Sequence, residues 1–231
     1  MRPYRCEAAS VEGFIQQLAV AYITHGYWFY VTGWVPTGKD PRTIDAKLVR
    51  LYGIDKSKWA RARSKRAGSA SIQYLRHGRF FVVIATHGCH PFFERERTMI
   101  RDARRVPIRY AGYSVSYRGG HAHVRIENRE YLERKAMLLE LAEHRSIETV
   151  RAAFLELRYE RYAPVRRQLF NILLAVNRAR QARGFSQLEP AMFRWGRRVV
   201  RPFGREVSAA TPPARPEETG TVSGTVYPSG H

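Results

Sequence analysis

The chain has 231 residues, 44% of them hydrophobic, so it can bury one good core, or one core with an appended helical part. Its 40 Lys and Arg against 20 Asp and Glu give a formal charge of +20, too unbalanced for an ordinary solvated surface. Six of the 40 are Lys, which leaves 34 Arg, the side chain that grips phosphate in two places and stacks on bases. We therefore expect an anionic partner, and nucleic acid is the usual one.

The chain contains two cysteines, Cys6 and Cys89, which are too few for a disulfide framework and favour a reducing, cytoplasmic location. The longest wholly apolar run, residues 80–85, is far too short to span a bilayer. Residues 1–10 lack the apolar segment of a signal peptide. We expect no membrane partner, and the oligomeric state stays open.

The first third of the chain predicts a helix, a strand and two further helices. Ser10 is a suitable N-cap for the first helix, and Gly26 is a suitable stop. Residues 27–32 are aromatic and β-branched on both faces, as in a central strand. Asp40 then caps a second helix, and Ser57 caps a short, strongly basic one. The apolar stripe of the first helix is formed by Val11, Phe14, Ile15, Leu18, Ala19 and Tyr22.

Residues 69–127 are predicted to form the central part of the fold, with four strands in two tight hairpins. The first hairpin turns at Gly78 and the second at Gly119 and Gly120, and short Gly-containing connections of this kind are strong hairpin signals. The highly charged connector at residues 94–105 is expected to be helical. The predicted strands are residues 71–76, 79–86, 108–118 and 121–127.

The rest of the chain is expected to be helical as far as residue 204. Asn128, Ser146 and Pro164 begin three helices with apolar stripes. Residues 205–231 are rich in Pro, Thr, Ser and Gly and are expected to form a disordered tail.

This order of elements predicts an α+β fold, because no strand–helix–strand alternation runs through the chain. We expect an antiparallel sheet of about five strands, from two hairpins and one N-terminal strand, flanked by helices and followed by a C-terminal helical region. The expected divisions are a sheet domain at residues 1–127, a helical region at 128–204 packed on or beside it, and the tail at 205–231.

The sharpest chemical motif is His121-Ala122-His123 in the last predicted strand. Because side chains alternate along a strand, His121 and His123 share one face, about 7 Å apart, while Ala122, Val124 and Ile126 face the core. Two imidazoles at that spacing can bind one divalent metal ion, such as Mg²⁺, Mn²⁺ or Zn²⁺.

A His-hydrophobic-His strand resembles the metal-binding signature of the HUH endonucleases, the superfamily of rolling-circle initiators, relaxases and single-strand transposases. The resemblance implies an enzyme in which a Tyr on a helix attacks DNA and becomes covalently linked to it. Tyr131, with Lys135 one turn later, is similar to the family's Tyr-x-x-x-Lys pattern and would supply that nucleophile. Tyr131 follows His123 by eight residues, whereas the family's Tyr helix normally comes later in the chain. The alternative is a polar outer strand face followed by a helix whose Tyr131 packs against the sheet.

The segment after the first hairpin contains further competent zinc ligands in His87, Cys89 and His90. If the two hairpins adjoin, His87 and His90 can join His121 and His123 in one metal site. The alternative is a turn with incidental imidazoles.

Clusters that mix basic and aromatic residues indicate nucleic-acid contacts, because Arg neutralises phosphates and aromatic rings stack on unpaired bases. Two such clusters surround Trp59 and Trp195. Tyr110, Tyr113 and Tyr117 lie in one predicted strand and are either a stacking surface or core. The predicted nucleic-acid-binding residues are Lys58, Trp59, Arg61, Arg63, Lys65, Arg66, Arg194, Trp195, Arg197, Arg198 and Arg201.

Three functions are compatible with these patterns. The first is a basic protein that binds DNA or RNA, mainly through phosphates and unpaired bases, in a mobile-element or replication context. The second is an HUH-type, metal-dependent single-strand DNA endonuclease or replication initiator, with His121 and His123 as metal ligands and Tyr131 as nucleophile. The third is a structural protein that packs on a larger ribonucleoprotein.

Overall fold

The computed structural model describes residues 4–192 and 196–204, without the side chains of Lys58 and Met192, and confirms the expected α+β class. The α-helices are α1 (Val11–Gln16), α2 (Pro41–Leu51), α3 (Lys58–Arg66), α4 (Pro91–Arg95), α5 (Asn128–His144), α6 (Ile147–Leu155) and α7 (Ala163–Ala182). The strands are β1 (Phe29–Trp34), β2 (Ile72–His77), β3 (Phe80–Ala85), β4 (Arg101–Asp102), β5 (Ile108–Tyr110), β6 (Tyr113–Arg118) and β7 (His121–Ile126).

The first helix forms as its apolar stripe predicts. Ser10 is its N-cap, and its side chain accepts a hydrogen bond from the N–H of Gly13 at 3.1 Å. The helix continues beyond α1 as a π-helical stretch, Gln17–Tyr22, and a short 3₁₀ turn. It ends at Gly26, whose φ of 88° is left-handed, a conformation that glycine adopts without steric cost.

The first sheet has four antiparallel strands in the order β2-β3-β1-β4. The strand β3 is buried because helices cover both faces of the sheet. Val82 and Ile84 pack in a core with α1, while Val83 and Ala85 pack in a second cluster with Phe92 of α4. The apolar run that the sequence shows is therefore a central strand.

The predicted strand at residues 108–118 is in fact two strands. A tight turn at Ala111 and Gly112 divides it, and both residues have positive φ, 47° and 78°. A two-residue turn with positive φ matches the twist of a hairpin. The strands β5, β6 and β7 consequently form a three-stranded antiparallel meander.

The strands are thus divided between a sheet of four and a sheet of three, instead of forming one sheet of about five. Ala103 connects the two sheets: its N–H donates to the carbonyl of Trp28 at 2.8 Å, and its carbonyl accepts from the N–H of Tyr117 at 3.1 Å. Residues of both sheets, Phe80 and Val115 among them, share one core with α1.

The charged connector at residues 94–105 is not the helix that its composition predicts. The helix α4 lies earlier, with His90 as its N-cap, and the chain then turns and pairs β4 with β1. Ile100 packs against the cluster beneath the first sheet. This tertiary contact outweighs the local helix propensity.

The helices α5, α6 and α7 enclose a separate core, to which Ile126 at the end of β7 contributes. Glu127, rather than Asn128, caps α5, because its carboxylate accepts from the N–H of Arg129 at 2.9 Å. The boundary expected at residue 127 falls at this junction. No helix in the described part of the chain, the 20-residue α7 included, is long and apolar enough to cross a bilayer.

Residues 196–204 run back along α1. The N–H of Ala9 donates to the carbonyl of Pro202 at 2.9 Å, and Nε2 of Gln16 donates to the carbonyl of Val200 at 2.5 Å. Phe203 packs against the shared core. The tail expected at residues 205–231 lies outside the described residues.

Candidate functional site

The strand β7 presents the histidines as the alternation predicts. Val124 and Ile126 are each 1% exposed and face the protein interior. His121 is exposed and His123 is half-buried on the opposite face of the strand.

His121, His123 and Arg125 line a cavity of about 630 Å³, which we call the β7–α7 cavity. The helix α5 contributes Tyr131, and the first turns of α7 contribute the other wall. The volume lies in the range of about 300–1,000 Å³ that is usual for small-molecule sites.

The backbone orients the ring of His121. Its Nδ1 lies 2.9 Å from the carbonyl oxygen of Gly119, in the turn before β7. Because a carbonyl can only accept, Nδ1 of His121 donates this hydrogen bond.

His123 has a buried polar atom without a partner. Its Nδ1 makes no hydrogen bond among the described residues. Burial lowers the pKa of His123 below its ordinary value, and the positive charges of Arg118 and Arg125 lower this pKa further. The ring is therefore neutral at pH 7. A buried polar atom that stays unpaired costs about 1–3 kcal/mol.

Tyr131 lies in the first turn of α5 and lines the same cavity as His121 and His123. It is half-buried and packs against the core of the C-terminal helices. Tyr131 thus borders the cavity and also packs against the helical core, as the alternative interpretation expects. Lys135 follows one turn later on α5 and is not among the residues that line the cavity.

Gln168 holds α7 against the edge of β7. The N–H of Ile126 donates to Oε1 of Gln168 at 2.8 Å, and Nε2 of Gln168 donates to the carbonyl of Ile126 at 3.1 Å. Arg167 and Asn171 lie beside Gln168 on α7 and line the cavity. Two arginines, Arg125 and Arg167, therefore face a cavity whose lining contains no carboxylate.

The cavity does not fit a divalent metal. The described residues contain no group of three or more His, Cys, Asp and Glu that could hold a metal ion. Mg²⁺ and Mn²⁺ prefer carboxylate oxygens, and the two guanidinium groups of Arg125 and Arg167 repel a cation. The same arrangement fits an anion.

The four histidines proposed as metal ligands do not form one site. His90 caps α4, because its Nδ1 accepts from the N–H of Phe92 at 3.1 Å, and burial lowers its pKa. His87 is exposed, with its ring 6.4 Å from that of Phe29. Both lie after β3 of the first sheet, whereas His121 and His123 belong to the second sheet. The strands next to these two pairs of histidines belong to different sheets, and the sequence does not show this division.

The helix α3 is short and basic as expected, with Ser57 as its N-cap. Trp59 is 81% exposed, and Arg63, Lys65 and Arg66 are exposed as well. Arg61 is half-buried and donates to the carbonyl of Lys56, and Lys58 is the first helical residue. The helix contains no acidic residue that could neutralise these cations.

The second predicted cluster is described only in part, since Arg194 and Trp195 lie outside the described residues. Arg197 packs over the ring of Tyr162 at 4.3 Å and donates to Oε1 of Gln16 at 3.2 Å. Its guanidinium therefore helps to hold the last described segment in place. Arg198 and Arg201 are exposed.

The three tyrosines of the second sheet contribute to the core instead of a stacking surface. Tyr113 is 2% exposed. Tyr110 stacks on Phe80, with ring centroids 4.3 Å apart, and Tyr117 packs against Trp28 at 5.0 Å.

Arg167 and Asn171 are cavity residues that the sequence analysis did not identify. Their spacing is informative, because Pro164, Arg167, Gln168 and Asn171 fall on one face of a helix. Which strand that face meets depends on the packing of α7, and no local pattern predicts it.

Comparison of the chain with protein-family models gives no match, and comparison with curated proteins gives none that is significant.

Proposed function

We propose that this protein binds DNA or RNA through phosphates and unpaired bases. The observation that carries the proposal is α3, where an exposed Trp59 stands among exposed cations in a helix without an acidic residue. Exposed arginines and lysines attract the phosphate backbone, and an exposed aromatic ring offers a stacking surface for a base.

The ring of Trp59 is accessible to a ligand. A tryptophan that is 81% exposed contributes little to the core, although its burial elsewhere would be strongly favourable. Stacking of a base on an aromatic side chain contributes about 1–3 kcal/mol. The basic residues around Trp59 place phosphate-binding groups within reach of the same strand of nucleic acid.

A further group of exposed arginines lies around β4. Arg101, Arg104 and Arg105 are all exposed, and Arg104 packs 4.5 Å above the ring of Trp28. Asp102 pairs with Arg104 at 2.7 Å and offsets its charge. Arg101 and Arg105 form a second exposed basic group.

We place this activity in the cytoplasm, in a mobile-element or replication context. Cys6 and Cys89 are both free, as expected in a reducing compartment.

The test is binding of a fluorescent single-stranded oligonucleotide at several salt concentrations, followed by anisotropy. We expect strong binding at low salt and a log affinity that falls linearly with log salt. Replacing Arg63 and Lys65 with Gln should reduce the magnitude of the slope by about 1.4, since each phosphate contact on a single strand contributes about 0.7. Trp59→Ala should weaken single-strand binding roughly 5- to 150-fold.

The matched control is the double variant Arg129→Gln and Arg134→Gln on α5. It removes the same charge, but these arginines pair with Glu133 at 2.8 Å and Glu130 at 2.7 Å. We expect it to change the slope less than the α3 variant does. A flat salt dependence, or no binding at about 50 mM salt, would contradict the proposal.

A second candidate is the HUH-type nicking enzyme, because His121, His123 and Tyr131 line one cavity. The absence of a carboxylate from that lining and the two arginines count against the metal that such an enzyme needs. Detection of a covalent protein–DNA adduct tests this candidate.

A further inference from the structure

The β7–α7 cavity is lined mainly by groups that donate hydrogen bonds. Arg125 and Arg167 approach it from the strand and the helix, and Asn171 lies one turn beyond Arg167. In the described part of the chain, no ion pair joins either arginine to a carboxylate. Both guanidinium groups are therefore available to pair with an anionic ligand.

The N-terminus of α7 adds to this positive potential. Ala163 and Pro164, its first two residues, line the cavity, and Tyr162 at the N-cap provides no side-chain hydrogen bond. The amide groups at the start of a helix lack acceptors within the helix and carry a partial positive charge. Pro164 has no N–H, so this end of the 20-residue helix adds the positive end of its dipole to the cavity wall rather than a full set of amide donors.

His123 also lines the cavity. Its Nδ1 is buried and has no hydrogen-bond partner among the described residues, although the surrounding wall is polar. A neutral imidazole can donate one hydrogen bond to a phosphate oxygen. Tyr131, whose hydroxyl is a hydrogen-bond donor, is a further lining residue.

We propose that the β7–α7 cavity binds a phosphate monoester, the group found at the end of a nucleic-acid strand or on a nucleotide. This inference deepens the proposed function and depends on it for the nature of the ligand. A monoester has three free oxygens and a charge of about −1.5 to −2 at pH 7, whereas a backbone diester has two free oxygens and a single charge. Two arginines, a helix N-terminus and several neutral donors match the monoester better.

The test compares single-stranded oligonucleotides of about ten nucleotides, within the usual site size, that differ only at their ends. One carries a 5′-phosphate, one a 3′-phosphate, and one hydroxyls at both ends. We expect either the 5′-phosphorylated or the 3′-phosphorylated strand to bind the full-length protein roughly tenfold more tightly than the strand with two hydroxyl ends. Arg167→Gln should abolish that preference.

The control is Arg166→Gln, which removes an exposed arginine from the neighbouring position of α7 that does not line the cavity. It should keep the end preference while lowering the affinity for all three strands equally. Both variants change a solvent-exposed side chain, and thermal unfolding checks that they remain folded.

The outcomes separate this inference from the proposed function. Equal affinity for the three strands in the wild type overturns the monoester site and leaves nucleic-acid binding intact. If no strand binds, the proposed function is overturned. Titration with a nucleoside monophosphate and with inorganic phosphate then tests whether the cavity binds a phosphate monoester. Binding of either that Arg167→Gln abolishes supports the monoester site, and no binding of either overturns it.

Discussion

The side-chain amide of Gln168 pairs with both backbone groups of Ile126, at 2.8 Å and 3.1 Å, 42 residues earlier in the chain. The amide supplies the hydrogen-bond partners for backbone N–H and C=O groups of the edge strand β7, as a neighbouring strand would. Gln168 itself is 8% exposed and Ile126 is 1% exposed, so water does not compete for these bonds. This contact sets the position of α7 on β7 and thereby the distance across the β7–α7 cavity.

Gln168→Ala should destabilise the protein by about 1–3 kcal/mol, because it leaves buried backbone groups of Ile126 without partners. Urea unfolding monitored by circular dichroism measures this change. Gln181→Ala makes the same replacement at an exposed position of α7 and should stay within about 0.5 kcal/mol of the wild type. Equal effects of the two substitutions would show that the Gln168 contact is not important for stability.

Truncation after Gly204 should leave the thermal midpoint almost unchanged, because residues 205–231 offer little apolar surface to bury. Truncation after Glu189 should lower the midpoint clearly, since it removes the bonds of Val200 to Gln16 and of Pro202 to Ala9, at the two ends of α1, and the packing of Phe203. Differential scanning calorimetry measures both. A loss of more than about 4 °C in the longer fragment, roughly 1 kcal/mol, would show that residues 205–231 dock on the fold.

The stability of the protein should decrease as the pH falls through about 6.5, the ordinary pKa of histidine. Burial lowers the pKa values of His90 and His123 in the folded state. Between the folded-state pKa and the ordinary value, the unfolded chain therefore binds more protons, and protonation favours unfolding.

The substitution His90→Asn isolates one of these groups. Asparagine is a good N-cap and can accept the hydrogen bond from Phe92 without titrating. Thermal midpoints between about pH 5 and 8 should vary less in this variant than in the wild type. His87→Asn changes an exposed ring three residues away and serves as control. An unchanged pH profile in His90→Asn would refute the assignment.

Incubation of the wild type with single-stranded DNA and Mg²⁺ or Mn²⁺ should leave no covalent adduct on a denaturing gel. The cavity around Tyr131 offers two imidazoles, two nearby guanidinium groups and no carboxylate, which is a poor site for a divalent cation. An adduct that Tyr131→Phe abolishes would establish the nicking enzyme instead. One that persists in Tyr131→Phe would identify a different tyrosine as the nucleophile.

Local chemistry explains why much of the fold could be predicted from the sequence. Ser10 and Asp40 cap their helices as expected, because an N-cap depends on a side chain and the amides two or three residues later. The face of His121 and His123 could be assigned because strand side chains alternate with a period of two. The exposure of α3 could be inferred because nine residues with a single large apolar side chain cannot form a buried stripe.

The division into two sheets and the construction of the β7–α7 cavity required the tertiary structure. The bridging position of Ala103 depends on how distant strands pair, and alanine is not a residue type that predicts this role or the positive φ of Ala111. Arg125 and Arg167 are 42 positions apart and approach one cavity because Gln168 fastens α7 to β7. The sequence by itself determined that the protein is basic and that its elements follow an α+β order. Which of its many arginines converge was decided by long-range packing, because that convergence requires contacts that no local periodicity encodes.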